Sequence, residues 1–417
     1  MIGTILLLIV SSSPLGGFLR FEDYIRVDSI RQHQKIATTY QLKVSLESGD
    51  VEGFGAFNIV YDIVKKTTSL EPIEGYLSWE RGDIGLTLGK RIVSIGTADW
   101  LNPTDVITPR DYTSLHSDLE EFRKGVEEVN LDVNFSQMLV SFYVFPGFTP
   151  NRYPMRTIFI PLGPAGAVEF NPDSAELPTT ELKNTQFGFR VHGFLSNVDF
   201  SFTYLRIFDR DPDLKAYTIN QQPGNFLIRI VPFYNWIHMV GSDFSATIGS
   251  WEVHGEGAYF KTVDEDGEDP GIKNSFVYAV AGGNRTFFDE KVRFGIQAGI
   301  KHIFNFRDST YFANDMVKSF LNSFARRTYY ETEENVYYGT LTLGYNSQEG
   351  NWSVDGTLVY DFTNSDYFSI PKFMYSPADG VNFIAGLFLS GGKGSSPFSE
   401  MGKHVGKLAF FEVKYSF

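Results

Sequence analysis

The feature that most constrains the fold is a long and repeated alternation of apolar and polar residues. In residues 197–204 every second side chain is apolar, namely Val198, Phe200, Phe202 and Tyr204. The same period of two returns in residues 186–192, 251–259, 292–301 and 352–360. Because successive side chains of a β-strand point to opposite faces, each run predicts a strand with one apolar and one wet face.

The length and chemistry of these runs favour a membrane barrel over a soluble sandwich. Several runs extend to about 9–12 residues, the length that a tilted strand needs to cross a bilayer. Sandwich strands average only about 5–6 residues. The polar faces carry Arg, Lys, Glu and His, which need water that a filled soluble core does not provide. We therefore predict that the apolar faces meet lipid and the polar faces line an aqueous lumen.

Composition agrees with this interpretation and excludes others. Aromatic residues make up 16% of the 417 residues, and the 39 glycines suit tight turns. The mean hydropathy is only −0.15, and no internal apolar run reaches about 18 residues, which excludes an ordinary transmembrane helix. A net charge of −14 speaks against nucleic acid as a partner. The absence of cysteine is compatible with passage through an oxidising periplasm.

The spacing of the runs predicts one all-β domain, an antiparallel transmembrane barrel over residues 18–417. Roughly 16–19 segments fit the strand template, and bacterial single-chain barrels have even strand numbers, so we predict 16 or 18 strands. Turn signals separate many of the runs, at residues 47–50, 81–83, 346–350 and 378–380.

Five stretches are too long for turns, and in such barrels long loops are extracellular. They are residues 97–124, 147–183, 209–224, 306–334 and the Gly/Ser-rich 391–406. Within the fourth, residues 314–327 place apolar side chains at helical spacing after an Asn that could cap a helix. This pattern predicts a short amphipathic helix packed on the barrel mouth or wall.

The first 17 residues are typical of a signal peptide. Residues 1–10 are apolar and residues 11–17 are mostly small and polar, so the apolar part has the length of a signal core and is too short to span a membrane. The alternative is a buried first strand.

In the last seven residues, apolar and aromatic side chains alternate with polar ones, and the final residue is aromatic. Val413, Tyr415 and the terminal Phe417 would share the lipid face, with Glu412 and Lys414 facing the lumen. This ending resembles the C-terminal signal of outer-membrane barrels. The resemblance implies that these three residues are read by the barrel-assembly machinery and that the protein resides in the bacterial outer membrane.

A second motif follows residues 88–96, a segment in which Gly89 precedes the basic residues Lys90 and Arg91. The next loop contains Asn102-Pro-Thr-Asp105 and Pro109-Arg-Asp111. This arrangement resembles the porin-like barrels of the alginate-export and related uncharacterised outer-membrane families. The resemblance implies a loop folded into the lumen near a constriction. The constriction candidates are Lys90, Arg91, Asp105, Arg110 and Asp111, acting either as a charged selectivity ring or as salt bridges that brace the loop. Since Lys90 and Arg91 cannot both face the lumen by alternation, we expect a bulge or a strand end there.

Other ionisable residues on the polar faces are candidates for the lumen wall. Glu252, His254 and Glu256 share one face of one predicted strand, either as a proton or ligand site or as ordinary wet-wall residues. The seven histidines show no metal-ligand spacing, and no nucleophile or phosphate-loop motif occurs, so we predict no metal, cofactor or catalytic site. The remaining wall candidates are Arg190, His192, Arg293 and Lys301.

Three hypotheses about function follow. The first is a porin for passive diffusion of small hydrophilic solutes, since a barrel of this size holds water. The second is a structural or adhesive barrel with an occluded lumen, and the third is an outer-membrane hydrolase whose residues converge only in space. The expected partners are outer-membrane lipid, the assembly machinery and the solutes, with a homotrimer as one candidate assembly.

Overall fold

The computed structural model describes residues 15–28, 32–113, 115–154, 157–161, 166–222, 225–393, 398 and 406–417. Eighteen of the strands in these residues form one closed antiparallel sheet. Their bounds are β1 (Leu15–Arg26), β2 (His33–Ser48), β3 (Val51–Asp62), β4 (Thr67–Arg81), β5 (Ile84–Arg91), β6 (Val126–Phe135), β7 (Met138–Phe145), β10 (Gln186–Leu195), β11 (Val198–Phe208), β14 (Trp236–Ile248), β15 (Trp251–Lys261), β16 (Phe276–Phe287), β17 (Val292–Ile303), β18 (Asn335–Asn346), β19 (Trp352–Asp361), β20 (Asp366–Ala378), β21 (Val381–Gly392) and β22 (Leu408–Ser416).

Each strand of the sheet pairs with the next, and the pairing of β1 with β22 closes the barrel. The larger of the two predicted strand numbers is therefore confirmed. Tight connections such as Gly49–Asp50 and Gly82–Asp83 lie at one end, which we call the short-turn end. The long connections lie at the other, the long-loop end.

Alternation sorts the side chains of the wall as predicted. On β11, Ser201 and Thr203 are buried inside the barrel, whereas 43% of Phe202 is exposed on the outside. Large apolar side chains are exposed in the same way around the barrel, for example Leu19, Phe142 and Leu343. Because exposed apolar surface of this extent is unfavourable in water, the outer face needs lipid around it.

Two connections of the barrel contain a second sheet that was not predicted, and its strand Asn225–Phe233 lies beyond the predicted loop at 209–224. Its strands are β8 (Ile158–Pro161), β9 (Gly166–Phe170), β12 (Asp213–Gln222) and β13 (Asn225–Phe233), paired in the order β12–β13–β9–β8. The β13–β9 pair is parallel and joins two separate connections of the barrel. We call this sheet the cap sheet, since it lies at the long-loop end.

Helix α1 (Met316–Thr328) covers the cap sheet. Its N-cap is Asp315, whose carboxylate accepts hydrogen bonds from the backbone N–H groups of Val317 and Lys318, so the helix starts slightly later than predicted. Its apolar side packs against the cap sheet, through Leu321, Ala325 and Tyr329 among others. The predicted amphipathic helix is present, but its partner is the cap sheet.

The N-terminal prediction falls mainly outside the described residues, which begin at Leu15. Leu15–Gly17, the last part of the predicted signal peptide, belongs to β1 and pairs with β2. Cleavage of a signal peptide stays a prediction. The Gly/Ser-rich stretch at 391–406 also falls largely outside the described residues.

Among the described residues, no helix combines the length and the apolar character needed to cross a membrane.

Candidate functional site

The connection between β5 and β6, residues 92–125, folds into the barrel, and we call it the lumen loop. It begins after Arg91, whose Nε lies 2.6 Å from Glu128 Oε1 and whose Nη2 lies 3.2 Å from Asn130 Oδ1. Lys90 alternates with Arg91 and so shares the outward face with Leu88. β5 ends at Arg91, so the strand end, one of the two expected features, is present, and alternation places the two basic residues on opposite faces. Lys90 is therefore placed outside the constriction that it was predicted to line.

Glu256 of β15 holds the first part of the lumen loop. Its Oε1 accepts hydrogen bonds from the backbone N–H of Thr104 at 2.6 Å and from the Thr104 hydroxyl at 2.8 Å. Its Oε2 accepts from the backbone N–H groups of Thr97 and Ala98, both at 3.1 Å. Gly96 has a φ of +88°, and a Cβ there would come within 2.5 Å of Glu256 Oε2, so the approach requires glycine. We call this arrangement the β15 anchor.

The neighbouring strands extend the β15 anchor. Gln297 of β17 donates from Nε2 to the carbonyl of Leu101 at 2.7 Å. Asn284 of β16 donates to Asp99 Oδ2 at 3.1 Å. His254 contacts Gln297 Oε1 through Nε2 at 3.3 Å, so this histidine supports the wall from within. Polar groups of three strands thus hold the loop in place.

The far part of the lumen loop is held by charges on the opposite wall, which we call the β1 anchor. Arg20 of β1 lies between Glu22, with Nε to Oε2 at 3.4 Å, and Glu121 of the loop, with Nη1 to Oε2 at 2.5 Å. Lys35 of β2 binds Glu22 Oε1 at 2.7 Å, and Lys414 of β22 lies 3.6 Å from Glu121 Oε1. Arg20 is 1% exposed and Glu22 is fully buried. Such buried charges need each other, since water does not reach them.

His116 completes the β1 anchor. Its Nδ1 lies 3.3 Å from Glu121 Oε2 and 3.4 Å from Arg20 Nη2. Burial lowers the pKa of His116 below its ordinary value, because a charged imidazole is disfavoured away from water. Burial also opposes ionisation of Glu121, but the hydrogen bond from His116 and the charge of Arg20 outweigh it and lower the pKa of that carboxyl. Lys35 also donates to the carbonyl of Leu115 at 2.8 Å.

Salt bridges within the lumen loop explain most of the predicted constriction residues. The carboxylate of Asp105 is buried, and its Oδ2 binds Arg110 Nη2 at 2.5 Å and Arg123 Nη2 at 2.6 Å. Asp111 binds Arg152 of a neighbouring connection at 3.3 Å. The structure thus brings Asp105 and Arg110 together as a brace of the loop, which is one of the two predicted roles.

Apolar side chains pack against both sides of the lumen loop. Ile95 and Ile107 are buried in a cluster with inward side chains of β11 and β14–β18, including Leu205 and Met239. Trp100, Leu115 and Leu119 pack against a second cluster around Tyr24 on β1 and β20–β22. Alternation predicts polar side chains on the lumen face, so these apolar regions of the long-loop half depart from the predicted pattern. The reason is that inward apolar residues such as Leu205 and Ile207 break the polar pattern near the strand ends.

Below the lumen loop, the short-turn half holds a cavity of about 970 Å³, which we call the chamber. Acidic residues dominate its inward charges: Asp99, Asp118, Glu120, Glu252 and Asp355 against Arg293 and Lys372. Arg293 is bound to Asp355, and Glu120 pairs with Arg123 at 2.6 Å. No ion pair is described for Asp99, Asp118 or Glu252 within the described ranges. The chamber therefore has a negative balance.

The other predicted wall residues face the lumen by the same alternation, but most have structural partners. Arg190 lies 3.8 Å from Asp243, and His192 is half-buried on the same strand. Lys301 binds Glu331 Oε1 at 2.7 Å, at the base of the connection that carries α1. Of the triplet on β15, Glu256 and His254 are bound to the loop or wall, and Glu252 lines the chamber. This distribution favours wall roles over a proton or ligand site.

Sequence reasoning missed the charges of the β1 anchor. Arg20, Glu22 and Lys35 occupy alternate positions on β1 and β2, and that periodicity was a usable signal. Their distant partner Glu121 left no sequence signal, because loop contacts depend on the folded path of residues 92–125.

The C-terminal residues lie as the alternation predicts. Tyr415 and Phe417 are exposed on the outer face, about half of each side chain, while Glu412 is buried and accepts a 2.5 Å hydrogen bond from the Tyr24 hydroxyl. Val413 shares the outer face with them. In the described part of the chain, no group of His, Cys, Asp or Glu side chains is arranged to hold a metal ion.

Several solved structures of Pseudomonas aeruginosa outer-membrane proteins share this fold. The outer membrane protein OpdK has a TM-score of 0.57 at 8% identity, covering 97% of this chain and 98% of that one. OccK2 (OpdF), solved in complex with glucuronate, has a TM-score of 0.56 at 7% identity, covering 97% and 96%. OccK3 (OpdO) has a TM-score of 0.55 at 10% identity, covering 99% and 97%. At these identities the likeness establishes the fold alone.

No curated protein sequence matches the chain. A family model does, over residues 75–379, which is most of the chain. The chain therefore belongs to the family described as Protein of unknown function (DUF1302).

Proposed function

We propose that this protein is a channel of the bacterial outer membrane through which small hydrophilic solutes diffuse passively. The observation that carries the proposal is the closed 18-stranded barrel, which has an apolar outer wall and a charged chamber of about 970 Å³ inside. Barrels of about 16–18 strands are wide enough to enclose an aqueous channel. In such barrels the short turns face the periplasm and the long loops face outward, and we assign the two ends accordingly.

The lumen loop sets the narrowest part of the proposed path. It crosses the lumen between the β15 anchor and the β1 anchor, so a solute that enters from outside must pass beside it before reaching the chamber. The carboxylates of Asp99, Asp118 and Glu252, which have no ion pair among the described residues, then attract cations and repel anions. We therefore expect the channel to favour cations.

Planar-bilayer recording of the purified, refolded barrel tests the channel proposal. We expect discrete conductance steps, and a reversal potential in a KCl gradient whose sign corresponds to cation preference. Absence of steps from protein whose barrel fold is verified by circular dichroism would contradict channel function. Steps with anion preference would contradict only the selectivity.

A second candidate, a barrel with an occluded lumen, is favoured by one specific observation. The apolar clusters around Leu205 and Tyr24 pack against both sides of the lumen loop in the long-loop half. Replacing residues 97–121 by a short Gly/Ser linker separates the candidates. A closed wild type whose deletion variant conducts would support occlusion. A conducting wild type whose conductance rises several-fold on deletion would support a constricted channel.

The remaining assignments are proposals as well. We propose that Val413, Tyr415 and Phe417 are read by the barrel-assembly machinery, supported by their outward placement on the last strand. The relation to the alginate-export porins is supported by the folded-in loop, and a homotrimer stays a prediction. The hydrolase hypothesis gains no support from Glu252, His254 and Glu256, since two of them hold the loop and wall.

A further inference from the structure

Four basic or histidine side chains lie on the outward face of the barrel, at the long-loop ends of their strands. We call them the basic row: Arg206 on β11, His238 on β14, Lys261 on β15 and His302 on β17. Alternation places them outward, because Leu205, Ile237, Phe260 and Ile303, their neighbours in sequence, are buried inside the barrel.

The strand register sets these side chains at one height on the wall. Arg206 is the cross-strand partner of His238, and His238 is the partner of Lys261. One strand further along, Val277 pairs with His302 and also with Tyr259, two residues before Lys261. Directly opposed residues are about 5 Å apart across a sheet. The first three members of the row are therefore continuous, and His302 extends it across β16.

Among the described residues, three members of the basic row contact uncharged side chains. The Arg206 guanidinium lies 3.7 Å from the centroid of the Trp236 ring, and the described residues give it no carboxylate partner. His238 Nδ1 is 2.9 Å from the Tyr204 hydroxyl. His302 Nδ1 is 2.9 Å from Asn335 Oδ1.

Lys261 is the member of the row with an acidic contact. Its Nζ lies 2.9 Å from Glu265 Oε1, and both side chains are largely exposed. An exposed ion pair of this kind contributes little and rearranges at low cost.

Elsewhere on the same rim, two outward basic side chains lie beside acidic ones. Lys90 is the cross-strand partner of Glu127, and the His33 ring nitrogen lies 2.8 Å from Asp23 Oδ1. In the basic row, only Lys261 has an acidic contact among the described residues. The partners described for the other three members are uncharged. A charge at the edge of the lipid is costly unless an anion meets it, and the flanking aromatic side chains Trp236, Tyr204 and Tyr259 are typical of the interface at headgroup level.

We propose that the basic row binds the phosphate groups of a phosphorylated lipid in the outer leaflet of the membrane. The Arg206 guanidinium lies over the Trp236 ring, and no hydrogen bond occupies its donors among the described residues. Lys261 supplies an exposed ammonium, and the two histidines add hydrogen-bond donors. The inference uses the assignment of the long-loop end to the outside but does not require the lumen to conduct.

Lipid binding by the purified full-length barrel in an uncharged detergent tests the proposal. The probe is diphosphorylated lipid A, and the lipid bound per barrel is measured by native mass spectrometry. We expect the affinity to fall by roughly tenfold or more in R206Q/K261Q, since each basic side chain near a lipid headgroup is worth about 1 kcal/mol. The matched control is R285Q. Arg285 also points outward and lies over aromatic rings, but at the short-turn end. The affinity of R285Q for lipid A should therefore equal that of the wild type.

A second variant and two other ligands test whether phosphate groups on the lipid are what the basic row binds. K261E alters one exposed side chain, so its fold is not at risk, and it should also weaken binding. Dephosphorylated lipid A should bind poorly to every form, and free inorganic phosphate should compete only at far higher concentration. Equal affinity of R206Q/K261Q and K261E with the wild type, or equal binding of dephosphorylated lipid, would overturn the proposal. Competition by free phosphate at lipid-like concentration would overturn the lipid as the source of the anion.

Discussion

The two anchors of the lumen loop hold the same segment by different physical means. At the β15 anchor, one carboxylate, Glu256, accepts four hydrogen bonds, three of them from backbone N–H groups. At the β1 anchor, the side chains of Arg20, Glu22, Lys35 and Glu121 compensate one another in a buried network. The first anchor fixes the path of the backbone. The second depends on charge balance, so it tolerates the loss of a charge pair better than the loss of one member.

The largest expected effect is at the β1 anchor. Replacing Arg20 with Met leaves Glu22 and Glu121 with fewer partners in a buried site, and we expect the free energy of unfolding to fall by about 3–5 kcal/mol. Urea unfolding of the barrel in lipid vesicles, followed by tryptophan fluorescence, measures this change.

The matched control is the double variant R20M/E121Q, which removes one charge of each sign. We expect it to recover part of the lost stability. A double variant less stable than R20M alone would show that charge balance does not govern this anchor.

A smaller loss is expected at the β15 anchor. Glu256→Gln replaces one acceptor oxygen by an amide that faces N–H donors, and hydrogen bonds to a charged group are each worth about 1.5–3 kcal/mol. We expect the unfolding free energy to fall by roughly 2–3 kcal/mol and the open-channel current to become noisier, because the loop start is released. Glu252→Gln on the same strand face is the control and should leave stability unchanged. Equal effects of the two variants would contradict the anchor role of Glu256.

The pH dependence of stability distinguishes the anchors further. Burial lowers the pKa of His116 from its ordinary 6.5. Just below pH 6.5 the unfolded chain therefore binds a proton at this residue that the folded chain does not bind. This contribution to stability is complete above pH 6.5 and is lost as the pH falls below it, at up to about 1.4 kcal/mol per pH unit.

The measurement is the difference in unfolding free energy between wild type and His116→Gln across pH 5–8. The difference removes the contribution of Asp209, which lies outside the barrel strands. Burial raises the pKa of Asp209 to about 6, so the stability that its protonated form contributes is lost as the pH rises through this value. An unchanged pH profile in His116→Gln would contradict the assignment.

The smallest expected effect concerns the chamber rather than the anchors. Glu252 has no ion pair among the described residues, so Glu252→Gln should shift the reversal potential toward zero by a few millivolts without altering stability. Lys372→Gln, on the opposite wall of the chamber, should shift it the other way. Shifts of the same sign in both variants would show that the chamber charges do not set selectivity.

Much of the barrel could be predicted from the sequence because alternation is a local property. Phe202 between Ser201 and Thr203 identifies its strand and its faces without knowledge of any partner. The cap sheet was missed since the pairing of β9 with β13 joins two connections distant in sequence. The site was predicted only in part for the same reason. Asp105 and Arg110 are five residues apart and their contact was within reach, whereas Glu121 meets Arg20 across 101 residues.

Closure of the barrel gives one side chain an additional mechanical role. Strands β1 and β22 are the first and last of the sheet, and we call their pairing the seam. The seam is the place where the barrel can open laterally. Glu121 reaches Arg20 on one side of this seam and Lys414 on the other. The lumen loop therefore fastens the seam from inside. Docking of the loop at the β1 anchor is complete only in the last step of assembly, since Arg20 and Lys414 meet around Glu121 when the two ends of the chain pair.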